Sequence, residues 1–265
     1  MKTEKPRVHF TSQNLISPHN PITVNLIGAG GTGSKVLTAL LEMNHSLIAL
    51  GHPGVQVRLW DDDIISEANL GRQRFAACEV GLYKSVALIN RVNRFAGTAW
   101  KAETVKFERD SSGRLPEHTD AMLYLSCVDS VAARFEVADI LKAGNSRSYN
   151  QPLYWMDFGN SHKTGQVILS TVGKLKQPES KKFEPVHYLP FVTDEFRDVL
   201  RQSENEDDTP SCSLAEALLK QDLYINAALA QMGCSLLWNL LREGMTAYRG
   251  FFLNIADFRA QPLAV

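Results

Sequence analysis

Val24-Asn25-Leu26-Ile27-Gly28-Ala29-Gly30-Gly31-Thr32-Gly33-Ser34 is an apolar run that ends abruptly in four glycines. A short Val, Leu and Ile run bounded by glycine reads as a buried strand of a parallel sheet, and the helical pattern from Ser34 onward makes the glycines a strand-to-helix turn. Gly28, Gly30 and Gly33 fit G-x-G-x-x-G. In that pattern the first glycine permits the tight turn, the second lets a phosphate approach the backbone, and the third lets helix and strand pack closely. Amides at the helix N-terminus then face the anion. The stretch is not a P-loop, because Walker A places lysine directly after the last glycine and here Ser34 precedes Lys35. On this pattern alone, a glycine turn without a ligand stays open.

Downstream, Val36, Leu37, Leu40, Leu41, Leu47 and Ile48 recur at helical spacing until Gly51-His52-Pro53-Gly54 stops the helix. Val55, Val57 and Leu59 alternate with polar neighbours and lead through Trp60 into Asp61-Asp62-Asp63. Strand, crossover helix and strand make a right-handed βαβ unit with Asp61 at the carboxyl edge, beside the glycine turn. A second helical face follows at Val80, Val86, Ile89, Val92 and Phe95, a short strand at Thr104, Val105 and Phe107, and an apolar strand at 122–128. Asp129-Ser130 precedes a helix bearing Val131, Phe135, Val137, Ile140 and Leu141, ended by Gly144. Residues 153–158 and 166–172 read as an antiparallel pair. The fold expected is therefore α/β: a Rossmann-like, doubly wound mixed sheet, parallel in its N-terminal part and antiparallel in its C-terminal strands. Residues 173–209 form a polar, proline-broken insertion whose charge favours a solvated loop. A helical pattern over 214–241 and a final strand over 250–258 close the chain. The expected organisation is an N-terminal arm, 1–21, and one domain, 22–265.

At 265 residues and 44% hydrophobic, the chain can bury one substantial core. Its 28 Lys and Arg against 29 Asp and Glu give a net charge of -1, which offers no global field to nucleic acid or membrane; any anion must be held by a few placed residues. Cys78, Cys127, Cys212 and Cys234 form no C-x-x-C pair, so neither zinc nor disulfides are expected. With no signal-like or membrane-length run, the expected compartment is the cytoplasm.

Chemistry concentrates in Asp61-Asp62-Asp63-Ile64-Ile65-Ser66-Glu67-Ala68-Asn69-Leu70-Gly71-Arg72-Gln73, then Lys84 and Asp129. A carboxylate at the end of the second strand of a nucleotide-binding unit accepts hydrogen bonds from ribose hydroxyls, which suits Asp61. Arg72 and Lys84 add a planar fork and an ammonium suited to a triphosphate and a leaving pyrophosphate. Asp129, at another strand end, suits Mg²⁺ through one carboxylate. Each has an ordinary alternative: Asp129 as a helix cap, the cations as solvated charges, Asp61 as one of three carboxylates fraying a strand.

GAGGTGS at 28–34, DDDIISEANLGRQ at 61–73, Lys84 and CVDSVAARF at 127–135 together resemble the adenylation domain of the ThiF/MoeB/HesA superfamily, the ATP-dependent activators of ubiquitin and ubiquitin-like sulfur carriers. The resemblance covers residues 22–172 and, more loosely, the C-terminal helix and strand. It implies that the turn of Gly28, Gly30, Gly31 and Gly33 holds ATP, that Asp61 binds ribose, and that Asn69, Arg72 and Lys84 contact the phosphates. Asp129 would serve Mg²⁺ and adenylation, and Asp63 and Ser130 would complete the nucleotide set. It further implies a homodimer and a small ubiquitin-like partner whose C-terminal glycine carboxylate attacks the α-phosphate. Within the superfamily the chain is most similar to the ThiF-type proteins of plasmid-associated PRTRC gene cassettes, through the glycine turn and PSCSLAEA at 210–217.

In that last run Ser213-x-x-Glu216 has the form of a capping box, which puts Cys212 just outside a helix N-terminus, where dipole and amides favour the thiolate. Ubiquitin-activating enzymes carry their thioester cysteine in a similar context, so Cys212 is a candidate acceptor; the alternative is a small packed residue. Three features depart from the family. Ala68 replaces the usual serine, the paired C-x-x-C ligands are absent, and no R-Y-x-R-Q stands near the N-terminus; that motif supplies an arginine across the dimer in many members, so its absence puts such assistance in doubt, with Arg7 a substitute candidate. Competing readings are an NAD-dependent oxidoreductase and a non-catalytic partner subunit.

Overall fold

The computed structural model describes residues 5–71, 73–144, 151–203 and 221–265. Strand β1 (Arg7–Phe10) and the single turn α1 (Gln13–Ile16) lead to β2 (Ile22–Ile27), the buried strand expected before the glycines. α2 (Gly33–Ala49) turns Val36, Leu37, Leu40, Met43 and Leu47 onto the sheet. β3 (Val55–Trp60) then runs parallel to β2, in register from Ile22 opposite Val55 to Ile27 opposite Trp60. α3 (Lys84–Ala96) begins later than its apolar pattern: Val80 lies outside it, Phe95 is 85% exposed, and the buried stripe is Ala87, Leu88, Ile89 and Val92. Gly97, at φ 66°, ends it in the left-handed conformation.

β4 (Lys101–Glu103) corrects the strand expected at Thr104, Val105 and Phe107, which follow it. Three residues at a sheet edge carry no apolar alternation. Phe107 instead packs edge-on against Trp60, with ring centroids 5.2 Å apart. β5 (Leu123–Ser126), α4 (Val131–Ala143), β6 (Tyr154–Asn160) and β7 (Thr164–Thr171) follow the expected order. β6 pairs parallel with β5 and antiparallel with β7. After β7 the described part of the stretch read as a solvated loop, 173–203, folds onto the body with β8 (Glu184–Pro185), α5 (Val192–Glu195) and α6 (Arg197–Ser203), while 204–209 lie outside the described residues. Leu189, Phe191, Val192 and Leu200 in it are buried, so four apolar residues outweigh the surrounding charge.

α7 (Ile225–Glu243) packs on α2 and the sheet, and β9 (Met245–Thr246) follows it. The final strand expected over 250–258 is a hairpin of β10 (Tyr248–Asn254) and β11 (Arg259–Ala264), turning at Phe258, which has φ 55° and is 92% exposed. β11 went unread because it is an edge strand with almost no buried side chain, and Pro262 within it is tolerated for the same reason.

The main sheet has the order β11-β10-β7-β6-β5-β2-β3-β4. β6, β5, β2, β3 and β4 are parallel, and the three C-terminal strands are antiparallel. One apolar cluster, including Leu26, Leu40, Leu59 and Leu229, lies under α2, α3 and α7; a second, with Trp60, Tyr124, Trp155 and Phe191, lies under α4. Truncating a buried leucine such as Leu40 to alanine costs about 2–5 kcal/mol in cores of this kind. A smaller sheet, β8-β1-β9, closes the other end. There the buried ring of His9 meets Val186 O at 2.6 Å and Tyr154 Oη at 2.8 Å, and Thr11 Oγ1 donates to Leu240 O. Among the described residues no helix is long and apolar enough to cross a membrane.

Candidate nucleotide site

The sheet changes direction between β2 and β5. From β2 the chain winds outward to β3 and β4, then returns to β5 on the other side, which opens a crevice at the carboxyl ends of the strands. The turns after β2, β3 and β5 meet there. Gly28 stands at φ 95°, and a Cβ on it would lie 2.7 Å from Cys127 O, so the first glycine is required both by its backbone and by the neighbouring turn. A Cβ at Gly33 would overlap Gly28 O. Gly30 differs: nothing lies within 4 Å of where its Cβ would be. The start of α2 has no side-chain cap. Ser34 N and Lys35 N donate to Gly30 O and Thr32 O, but the amides of Gly31, Thr32 and Gly33 have no acceptor among the described residues, and free amides beside open space are what an incoming phosphate needs, so this turn fits a nucleotide.

Asp61 closes β3. Its Oδ2 accepts from Ala29 N at 2.6 Å and its Oδ1 from Asp63 N at 3.0 Å, which ties the two turns together and leaves lone pairs for hydroxyl donors. Burial pushes its pKa up from 3.8 to about 6, against the pull of the Ala29 amide and the Lys84 ammonium. Lys84, the first residue of α3, is not the solvated charge its ordinary reading supposed. Its side chain is 9% exposed, and its Nζ donates to Asp63 Oδ2 at 2.6 Å, while Asp63 is 65% exposed. Ser85 Oγ donates to Asp61 O and fixes the start of the helix against the strand end. Asn69 sits in a 3₁₀ turn, where its Oδ1 accepts from Ser66 N and Oγ; its NH₂ is the end able to reach an anion.

Asp129 follows β5 and is exposed; among the described residues its carboxylate has no partner. It does not cap α4, because Ser130 does, accepting from Ala133 N at 3.2 Å. The turn that carries Asp129 is held from beneath. Arg134 Nε donates to both oxygens of buried Asp157, at 3.2 and 3.1 Å, and its NH2 group reaches Val128 O at 2.9 Å. Ser126 Oγ donates to Asp157 and accepts from Trp155 Nε1, so the ion pair is satisfied on all sides. Among the described residues no group of three or more His, Cys, Asp or Glu gathers for a metal. One free carboxylate beside phosphate oxygens is a donor set that suits Mg²⁺.

Arg72 and Cys212, with Ser213 and Glu216, lie outside the described residues. Arg7 is in β1, whose neighbour Tyr154 begins β6, so it stands at the opposite end of the sheet from the glycine turn of its own chain. The thiols of Cys127 and Cys234 are both raised by burial, the latter to about 12, as suits packed side chains. Gln73, in the same run as Arg72, is buried with Oε1 unpartnered, a loss of about 1–3 kcal/mol unless something supplies a donor. Sequence reasoning missed Asn226, whose carboxamide meets Thr32 in the turn, and the Arg134–Asp157 pair. Arg134 lies within the recognised 127–135 run, but nothing in one sequence names its partner.

A doubly wound sheet with a glycine turn, a buried carboxylate and a second acidic turn at its switch point is the architecture of nucleotide-binding α/β proteins. More narrowly, the ThiF family matches residues 19–261, and the chain belongs to that family. Similar solved structures include PaaA, 14% identical, with a TM-score of 0.60 over 92% of this chain and 72% of that one. Escherichia coli MccB with ATP is 15% identical, with a TM-score of 0.55 over 95% of this chain and 65% of that one. MccB with MccA gives 15% and 0.58 over the same shares. The chain thus spans less than two-thirds of the MccB chains. At these identities the likeness is one of fold, the ThiF adenylation fold. No curated protein matches in sequence.

Proposed function

We propose that this chain uses ATP to adenylate the C-terminal carboxylate of a small protein partner. The observation that carries the reading is the meeting of an uncapped glycine turn, Lys84 and an unpartnered Asp129 at one switch-point crevice in a ThiF-family chain. MccB, solved with ATP and with MccA, supports a nucleotide and a second substrate for this fold. In the proposed step an oxygen of the carboxylate bonds to the α-phosphorus, the bond from that phosphorus to the bridging oxygen breaks, and pyrophosphate leaves. The turn amides from Gly31 to Gly33, with Gly30 giving room, would hold phosphate oxygens, Asp61 the ribose, and Asn69 and Arg72 the outer phosphates. Lys84, exchanging Asp63 for phosphate, would stabilise the charge that develops on the leaving group. Bound Mg²⁺ would neutralise phosphate charge, with Asp129 as its protein ligand.

The partner proposed is a small ubiquitin-like or sulfur-carrier protein ending in glycine. Cys212 is proposed as a thioester acceptor after adenylation, and a cytoplasmic homodimer of the PRTRC type as the working form; the sequence resemblance supports both. ATP-pyrophosphate exchange with such carriers tests the reading. Exchange should require carrier and Mg²⁺, and Lys84→Met, which keeps the buried stem, should lower it about 10²-fold without unfolding the protein. Exchange near the wild-type rate in Lys84→Met, or tight binding of NAD in place of ATP, would overturn it.

A further inference from the structure

The glycine turn is buttressed from a distant part of the chain. Asn226, the second residue of α7, is 1% exposed, and its Oδ1 accepts from Thr32 Oγ1 at 2.8 Å across 194 positions of sequence. Its Nδ2 donates to Gln221 Oε1 at 2.8 Å, so the carboxamide is fixed at both ends. A Cβ on residue 31 would overlap that same Nδ2. Glycine at 31 is therefore required by Asn226, whereas glycine at 30 faces open space. Two adjacent glycines of one motif answer to different neighbours.

Thr32 stands at the N-cap position of α2, where threonine ordinarily takes an extended backbone and turns its hydroxyl onto the helix amides. Here it has φ -79° and ψ -49°, in the helical region, and makes no capping bond. Its hydroxyl goes to Asn226 instead, with a longer approach to Asn160 Oδ1 at 3.5 Å. The helix thus forgoes a side-chain cap: its Ser34 and Lys35 amides donate to Gly30 O and Thr32 O, and the amides left without an acceptor among the described residues are those of the turn itself, Gly31, Thr32 and Gly33, an arrangement that helps only if another acceptor is to occupy them.

We propose that Asn226 is a positioning residue for the phosphates of the nucleotide: by holding Thr32 and wedging against Gly31, it fixes the turn whose free amides, Gly31 to Gly33, receive the ligand. This rests on the nucleotide reading given above. Its effect should fall on phosphates and spare the nucleoside. In Asn226→Ala, ATP should bind about tenfold more weakly, the loss of roughly one well-placed hydrogen bond, while adenosine binds as to wild type. Gly31→Ala should abolish ATP binding in the wild-type background yet add little in Asn226→Ala, because the atom it strikes is gone. Unchanged ATP affinity in Asn226→Ala, equal losses for ATP and adenosine, or a Gly31→Ala penalty of the same size in both backgrounds would each overturn the assignment. Wild-type protein that binds adenosine no less tightly than ATP, or binds neither, would instead overturn the nucleotide reading on which it rests.

Discussion

Asp61→Asn should make stability and nucleotide affinity move in opposite directions. Burial raises the Asp61 pKa from 3.8 to about 6, so the native protein takes up this proton at a higher pH than the unfolded chain. Between those values the native state binds more protons, and the stability contributed by this group falls as pH rises; above about pH 6 the whole penalty persists. Two pKa units correspond to at most about 3 kcal/mol. Asparagine keeps an acceptor for Ala29 N, though not the second one for Asp63 N, and has no charge to desolvate. The stability of Asp61→Asn relative to wild type should therefore rise by about 2–3 kcal/mol between pH 4 and pH 7.5, read from urea unfolding of both proteins at each pH. ATP affinity should run the other way: wild type loses its ribose acceptor as pH falls through about 6, and the variant binds weakly throughout. A stability difference that stays flat across this range would refute the desolvation argument. Equal ATP affinities of the two proteins at pH 7.5 would remove Asp61 from the site.

Other substitutions separate neighbours that a motif treats alike. Gly33→Ala should cost about 3 kcal/mol or more, because the added carbon strikes backbone at Gly28, while Gly30→Ala should melt like wild type and lose ATP affinity; thermal melts and ATP titration of the pair would expose the reverse order. Arg134→Met should destabilise by about 3–5 kcal/mol by stranding the Asp157 charge, and Arg134→Met with Asp157→Leu should recover most of it in denaturant unfolding; a double variant as unstable as the single one contradicts this. A thiol-sensitive adduct formed with carrier and ATP, resolved on a non-reducing gel, should vanish in Cys212→Ala, and its survival would exclude that cysteine.

What could be read in advance follows the range of the interactions. The central parallel strands were legible because each is an apolar run stopped by glycine or aspartate, and the residues that stop them are the ones the crevice collects: Gly28, Asp61 and Asp129. β4 and β11 were misplaced or missed because edge strands bury too little to leave a period-two pattern. Lys84 shows a different limit. Its charge marked it for phosphate, but a lysine stem lying buried at a helix start looks in sequence like any surface lysine. Asn226 and the Arg134–Asp157 pair were illegible for a third reason: each acts only through a partner brought up by tertiary folding, 194 and 23 positions away.

The small sheet at the far end of the molecule has a kinetic consequence. His9 and Thr11 find their partners 177 and 229 positions further along, and β1 cannot pair until β8 and β9 exist. Closing loops of that length adds little to the equilibrium cost, which grows only logarithmically, but it orders events in time. During synthesis this strand leaves the ribosome ahead of every residue it will pair with and docks after nearly all the rest is made. Until then its backbone is an unclaimed edge carrying Val8 and Phe10, open to a chaperone or a protease.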